Sequence, residues 1–406
     1  MLLYSREDDR VMTKTKSLKL KEDFKKIDKF IFGISIILFL FGLLMIFSAS
    51  NVTLSMGGKS PFTYIIKQAI TLIISFFVFI FIIKVPSKNH YFLSVFIGGL
   101  LFFSLIYLLI FGDSTRGAKS WIDLGFYSLQ PSEFIKIAII MFFASYYEKY
   151  RERCSSSWLI TLIPVVVSII VFALVFLQPD LGTAIIISLI VALIFISLPI
   201  NFKKKLIIGG IGIGVVSLGA VLLFGFDLKS KVLSQTQLDR LNFKDPCSRY
   251  TESTGYQLCN GFIAMNNGGL LGSGLGNSTQ KYLYLPEPHN DFIMVIIVEE
   301  FGMVAFVAIM ALYFILLCRI LVIAKGASNL RGSVVAYGVF VYLFSHIVVN
   351  LGGVFGVIPM TGVPLPFLSY GGSSALTLVC ALALVQRVKI ETYDYKRKLI
   401  KEGNRI

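Results

Sequence analysis

The chain has 406 residues, of which 56% are hydrophobic and 15% charged, with a mean hydropathy of +0.79. That much apolar surface excludes a soluble globular domain and points to an all-α polytopic membrane protein. The net charge of +15 does not signal nucleic acid, because the basic residues lie mostly in short segments between apolar runs, as the positive-inside rule requires.

Residues 1–28 are a charged tail with Lys14, Lys16, Lys19, Lys21, Lys25 and Lys26 interleaved with acids. The apolar run behind it is long enough to span and no small-residue cleavage site follows, so it reads as an uncleaved first helix. Ten runs approach the twenty or so apolar residues of a spanning helix, at 30–50, 63–84, 90–112, 132–147, 158–178, 182–200, 206–226, 291–318, 333–352 and 374–388. An even number puts both termini on one side. The connections with Lys84 and Lys88, with Lys149, Arg151 and Arg153, with Lys203 to Lys205, and with Lys325 and Arg331 fall on that side, together with the basic tail 391–406. It is therefore cytoplasmic. The expected architecture is a membrane domain over 29–390 between two cytoplasmic tails. Its outer loops are 51–62, 113–131, 227–290 and 353–373, and the longest of them precedes the eighth helix.

Loop 227–290 carries Gly268, Gly269, Gly272, Gly274 and Gly276 among apolar residues, with Tyr250, Tyr256, Tyr282 and Tyr284. This composition suits a folded loop lying on the membrane rather than a disordered linker. The loop also contains Cys247 and Cys259, which are either bridged in an oxidising exterior or two free thiols. His90, His289 and His346 are scattered and suggest no zinc site. The glycines from Gly209 to Gly214 lie inside an apolar run and read as close helix packing, not as a nucleotide loop.

Five polar blocks lie at the outer helix ends. Arg116-Gly117-Ala118-Lys119-Ser120-Trp121 joins cations to an interfacial aromatic, which suits a phosphate head group or an ordinary aromatic belt. In Gln130-Pro131-Ser132-Glu133-Phe134-Ile135-Lys136, the acid and the lysine share a helix face and form either a functional or a mutually neutralising pair. In Gln178-Pro179-Asp180-Leu181-Gly182-Thr183, Asp180 is placed to cap the next helix. Pro286 and Pro288 hold Leu285-Pro286-Glu287-Pro288-His289-Asn290-Asp291 extended, so the next helix begins near Asn290 or Asp291. A carboxylate there is kept ionised and available to take up a proton. Glu299 and Glu300, deeper in that helix, need partners, and Lys67 or Lys136 could serve. The fifth block runs from Asn350 to Ser373 and includes Ser369, Gly371 and Gly372. Its glycines and prolines indicate a re-entrant backbone that lines a groove.

The stretch 350–373 resembles the signature of the shape, elongation, division and sporulation proteins, the FtsW, RodA and SpoVE type of bacterial cell-wall polymerase. The blocks at 130–136, 178–183 and 285–291 look like further family blocks in the right order, and the likeness covers nearly all of 30–390. It implies a peptidoglycan glycosyltransferase of the bacterial cytoplasmic membrane that polymerises lipid II, the undecaprenyl-pyrophosphate-linked disaccharide, on the outer face. It implies Asp291 as the essential acid and a class B penicillin-binding protein as partner, alongside other division or elongation proteins, the growing glycan strand and membrane lipid. Substrate contacts are then expected from Glu133, Lys136, Arg116, Lys119, Trp121, Asp180, Arg240, Lys281, His289, Ser369, Gly371 and Gly372. Charge on the leaving pyrophosphate is met by cations of that set or by magnesium or manganese. Two positions depart from the pattern. Lys119-Ser120 stands where the family often has two arginines, which removes a bidentate fork, and Asn290 stands where threonine is common. Gly276-Asn277-Ser278 with Lys281 resembles the division and sporulation branch. The rival readings are a lipid II flippase, which would need a polar path through the midplane, and a non-catalytic scaffold.

Overall fold

The computed structural model describes residues 22–112, 119–125, 127–220, 235–251, 253–282 and 284–403. Helices occupy all ten predicted runs: α1 (Lys29–Met56), α2 (Thr63–Lys84), α3 (His90–Phe111), α4 (Pro131–Lys149), α6 (Trp158–Leu177), α7 (Leu181–Ser197), α8 (Phe202–Ala220), α11 (Ile293–Gly326), α12 (Leu330–Val354) and α13 (Gly372–Lys401). Shorter elements fill the connections: β1 (Ile122–Asp123) and β2 (Ser128–Leu129), which pair antiparallel, and helices α5 (Arg151–Ser156), α9 (Gln235–Leu241) and α10 (Ser253–Gly268). Seven helices among the described residues are long and apolar enough to cross a membrane, and α7 is a shorter apolar one. α13 runs on through the expected basic tail as far as Lys401.

α12 is the central helix. It packs against α4, α7, α11 and α13, while α2 lies along α13 and α3 along α4. In α12, 78% of the apolar window is buried, against 17% for the span containing α3. The outer helices present Phe77, Phe103, Leu159 and Phe314 to the surroundings. Such a surface is stable only against lipid.

The basic connections gather at one end of the bundle. There Asp28 caps α1, accepting from the amides of Phe30 and Ile31, and pairs with Arg319 at 2.5 Å. Arg331 holds Glu148 at 3.3 Å and donates to the Ser87 carbonyl. Arg387 pairs with Glu391 and donates to the Ile83 carbonyl at the end of α2. Lys204 donates to the Cys154 carbonyl. These contacts knit α1, α2, α4, α11, α12 and α13 together on the side that the charge rule assigns to the cytoplasm.

The long outer loop is more deeply embedded than a surface-lying segment. α10 runs beside the first turns of α11, with Gly261 against Phe292 and Gly268 against the Val298 backbone. The chain turns at 269–272, opposite Gly302, nine residues into α11, a depth of about 14 Å at helical rise. Leu270 and Leu271 at that tip are 73% and 82% exposed, as lipid-facing side chains would be. Gly302 interrupts α11 with φ 74° and ψ −176°, a conformation only glycine takes readily. The backbone groups freed by that break are paired by the hairpin: Met303 N to Gly269 O, Val304 N to Leu270 O, and Ser273 N to Glu299 O. A broken helix at membrane depth is tolerated on this condition. The Cys247–Cys259 disulfide is formed and ties the turn after α9 to α10.

Candidate functional site

The opposite end of the bundle is built from glycine- and proline-rich loops. Segment 285–292 has Glu287 at φ 49°, and Asn290 N closes a turn onto Glu287 O. The helix begins at Ile293, later than the sequence suggests, and its cap is Phe292 with no side-chain hydrogen bond. Asp291 therefore does not cap α11. Its carbonyl accepts from Asn350 Nδ2 at 2.9 Å, and its half-buried side chain lines a narrow cleft with Asn350, Gly353, Thr361, Gly362 and Val363.

The loop after α12 forms the floor of that cleft. Ser369 Oγ accepts from Leu365 N and donates to Asn290 O at 2.6 Å, and Tyr370 N donates to His289 O at 2.9 Å. Tyr64 of α2 stacks on His289 and packs on Tyr370, each at 4.6 Å between centroids, and Gln68 Oε1 accepts from Gly371 N. His289, Ser369 and Gly371 thus weld the two loops and α2 into one rigid lip. Ser369 Oγ bonds backbone groups and also lines the neighbouring cleft under 364–369, while the His289 ring stacks on Tyr64.

Gly362 is the place where charge meets charge. Its φ is +70°, and a Cβ built on it would stand 3.7 Å from Arg240 Nη2 and 3.8 Å from Asp291 Oδ2. The positive φ favours glycine here, and the guanidinium and the carboxylate both come within van der Waals reach of the point a Cβ would occupy. Arg240 arrives there from α9 and donates to Thr361 O at 3.3 Å. α9 is fastened to α10 by Thr254 Oγ1 to Asp239 O. A carboxylate and a guanidinium therefore approach one point, Asp291 from the loop before α11 and Arg240 from α9.

Lys136 and Lys281, both expected to meet the pyrophosphate, are instead consumed by buried acids. Lys136 is fully buried, 2.7 Å from Glu133 and 3.0 Å from His346 Nε2. Lys281 is 3% exposed and pairs with Glu300 at 2.8 Å, where Ser48 also donates. Among the described residues Glu299 pairs with no cation: Ser278, Thr279 Oγ1 and the amides of Thr279 and Gln280 donate to it. The expected partners of Glu299 and Glu300, Lys67 and Lys136, are thus replaced by residues of the re-entrant hairpin. An acid at membrane depth takes the nearest donors, and only the folded hairpin brings them there. Glu133 and Lys136 form the mutually neutralising pair allowed by their spacing.

Asp180 caps α7, accepting from Thr183 N at 3.1 Å, and also accepts from Gln130 Nε2 at 3.0 Å. It is a joint between α4 and α7. Lys119 and Trp121 precede the β1–β2 hairpin. That hairpin is fastened to the start of α13, where Ser373 Oγ accepts from Gln130 N and Tyr127 covers Gly372. Burial pushes the Tyr127 phenol above the usual tyrosine range, so it stays neutral there. Arg116 lies outside the described residues. Among the described residues no three His, Cys, Asp or Glu side chains converge as a metal cage.

A second cleft lies under 364–369, lined by Gln68, Tyr342, His346 and Ser374 among apolar side chains. Asn350 is the first residue of the 350–373 block, and nothing else in the sequence marks its place at Asp291.

The model of the FtsW/RodA/SpoVE cell cycle protein family matches residues 28–394. The chain is 34% identical to a probable peptidoglycan glycosyltransferase FtsW of Bacillus subtilis, covering 94% of this chain and 95% of that one. It is 34% identical to stage V sporulation protein E of the same organism, over 87% and 94%, and 35% identical to a probable peptidoglycan glycosyltransferase FtsW of Coxiella burnetii, over 86% and 93%. Among solved structures, a chain from a study of how a peptidoglycan synthase complex coordinates polymerization and crosslinking superposes with TM-score 0.70 at 22% identity, over 90% of this chain and 98% of that one. Rod shape determining protein RodA of Thermus thermophilus superposes with TM-score 0.65 at 22% identity, over the same shares.

Proposed function

The chain belongs to the FtsW/RodA/SpoVE family of cell cycle proteins, and on that premise we propose that Asp291 is the base of a peptidoglycan glycosyltransferase working at the outer lip of this bundle. The protein is a multi-pass protein of the bacterial cytoplasmic membrane, and its activity is the polymerisation of lipid II into glycan strands. The observation that carries the assignment of residues is the convergence of Asp291 and Arg240 on Gly362.

The acceptor sugar enters the cleft with its 4-hydroxyl toward Asp291. The carboxylate takes the hydroxyl proton as the oxygen attacks the anomeric carbon of the donor. The bond from that carbon to the pyrophosphate breaks, and its electron pair leaves with the lipid pyrophosphate. Arg240 meets the charge that develops there. Single displacement inverts the anomeric carbon.

The buried pairs Lys136–Glu133 and Lys281–Glu300 reach below the lip, deeper than the sequence suggests. They are buried pairs and not a chain of exposed groups, which favours surface chemistry over a flippase path. The partner is a class B penicillin-binding protein that crosslinks the product, in keeping with the synthase complex that shares this fold. The resemblance of 276–281 to the division branch, and the FtsW relatives, favour a role in septal wall synthesis.

The test is the purified protein with its transpeptidase, given labelled lipid II. Glycan chains from wild type and none from Asp291→Asn support the assignment. Lipid scrambling without polymer would instead support a flippase, and partner binding with neither activity a scaffold.

A further inference from the structure

The cleft beside Asp291 holds a polar group that the chemistry above leaves unused. Asn350, on α12, is 3% exposed and lines the same cleft as Asp291. Its Nδ2 donates to Asp291 O at 2.9 Å and to Val363 O at 2.8 Å. Two carbonyl acceptors fix the amide's orientation, because turning it over would set Oδ1 against both oxygens. Oδ1 is thereby left buried with no hydrogen-bond donor among the described residues. Buried amide oxygens are rarely left so, and one at the wall of a cleft is an acceptor waiting for a donor from whatever enters.

The substrate's own chemistry narrows what that donor is. A pyrophosphate diester and a polyprenyl tail carry no N–H or O–H donor at neutral pH. Hydroxyls and amides of the sugar and peptide do. The sugar whose hydroxyl Asp291 deprotonates is the part of the substrate held next to Asn350, since Asn350 is bonded to the carbonyl of Asp291 itself.

Building on the polymerase reading, we propose that Asn350 Oδ1 accepts a hydrogen bond from a hydroxyl of the acceptor sugar adjacent to the attacking one. Asn350 thereby sets the register of that sugar on the base. Its two ends have separate tasks: Nδ2 holds the lip closed, and Oδ1 reads the sugar.

The experiment uses the full-length protein with its transpeptidase, and lipid II acceptors lacking either the 3- or the 6-hydroxyl of the terminal sugar. On wild type, one of these analogues is expected to lower kcat/KM by about tenfold, the effect of one hydrogen bond to a buried acceptor. On Asn350→Ala, natural lipid II is already slow, and the same analogue gives no further loss. Two results overturn the proposal: both analogues reacting on wild type at the natural kcat/KM, or the losses from variant and analogue multiplying as independent effects. Because Asn350→Ala also releases two carbonyls, its thermal unfolding is measured alongside. If it does not fold, the wild-type comparison alone decides. A wild type that makes no polymer from natural lipid II overturns the polymerase reading and this one with it. Polymer from natural lipid II with no discrimination between analogues overturns only this one.

Discussion

The two ends of the bundle solve the same problem, holding helices and loops in register, with different chemistry. The cytoplasmic end does it with charge: Arg319 on Asp28, Arg331 on Glu148, Arg387 on Glu391. The outer end does it mostly with neutral hydrogen bonds. Ser369, Asn350, Gln68 and Tyr370 hold backbone groups of the lip, while the His289 ring stacks on Tyr64. Charge clamped against charge is neutralised and cannot do chemistry. At the outer lip most of the clamps are neutral, with Asp180 and Arg240 the charged exceptions, and Asp291 and Arg240 both approach Gly362. Between the ends lie the buried pairs Lys136–Glu133 and Lys281–Glu300, which resemble the cytoplasmic clamps in kind but sit near the outer lip in place.

The contrast is broken most severely at Asp291. Asp291→Asn is expected to lower glycan synthesis by about 10²–10⁴-fold with an unchanged melting temperature, because the isosteric amide keeps the shape of the lip. A variant that loses its fold instead would make Asp291 one more clamp. Lys136→Met is expected to do the reverse. It leaves Glu133 buried without its cation, at about 3–5 kcal/mol, and is read as loss of monodisperse protein in detergent. The double variant with Glu133→Gln should recover much of that loss. Arg240→Lys keeps the charge but loses the planar fork, and is expected to cut polymerisation about ten- to a hundredfold at constant stability. Separating Cys247 from Cys259 with Cys259→Ser should loosen the turn between α9 and α10 by about 2–3 kcal/mol. The measurable result is faster hydrogen exchange at 235–259, with a smaller loss of activity than Arg240→Lys. Arg387→Ala at the cytoplasmic end is the mildest. Its partly exposed pair with Glu391 is worth about 0–1 kcal/mol, so a slightly lower melting temperature and an unaltered rate per folded molecule are expected.

Much of the architecture was legible in the chain itself. Ten apolar runs gave ten helices, and the lysines and arginines marked the end where the charge clamps gather. The blocks at 178–183, 285–291 and 350–373 marked the lip. Apolar length and charge are local properties that the bilayer acts on segment by segment, so each could be read without knowing its neighbours. The partners of the acids could not be read in this way. Glu300 faces Lys281 only because the chain dives along α11 and turns back opposite Gly302, and Lys136 is withheld from the cleft because His346 and Glu133 close around it. Which cation is spent on a buried acid and which stays at the lip depends on contacts between residues distant in sequence. Desolvation selects those contacts only once the helices have packed.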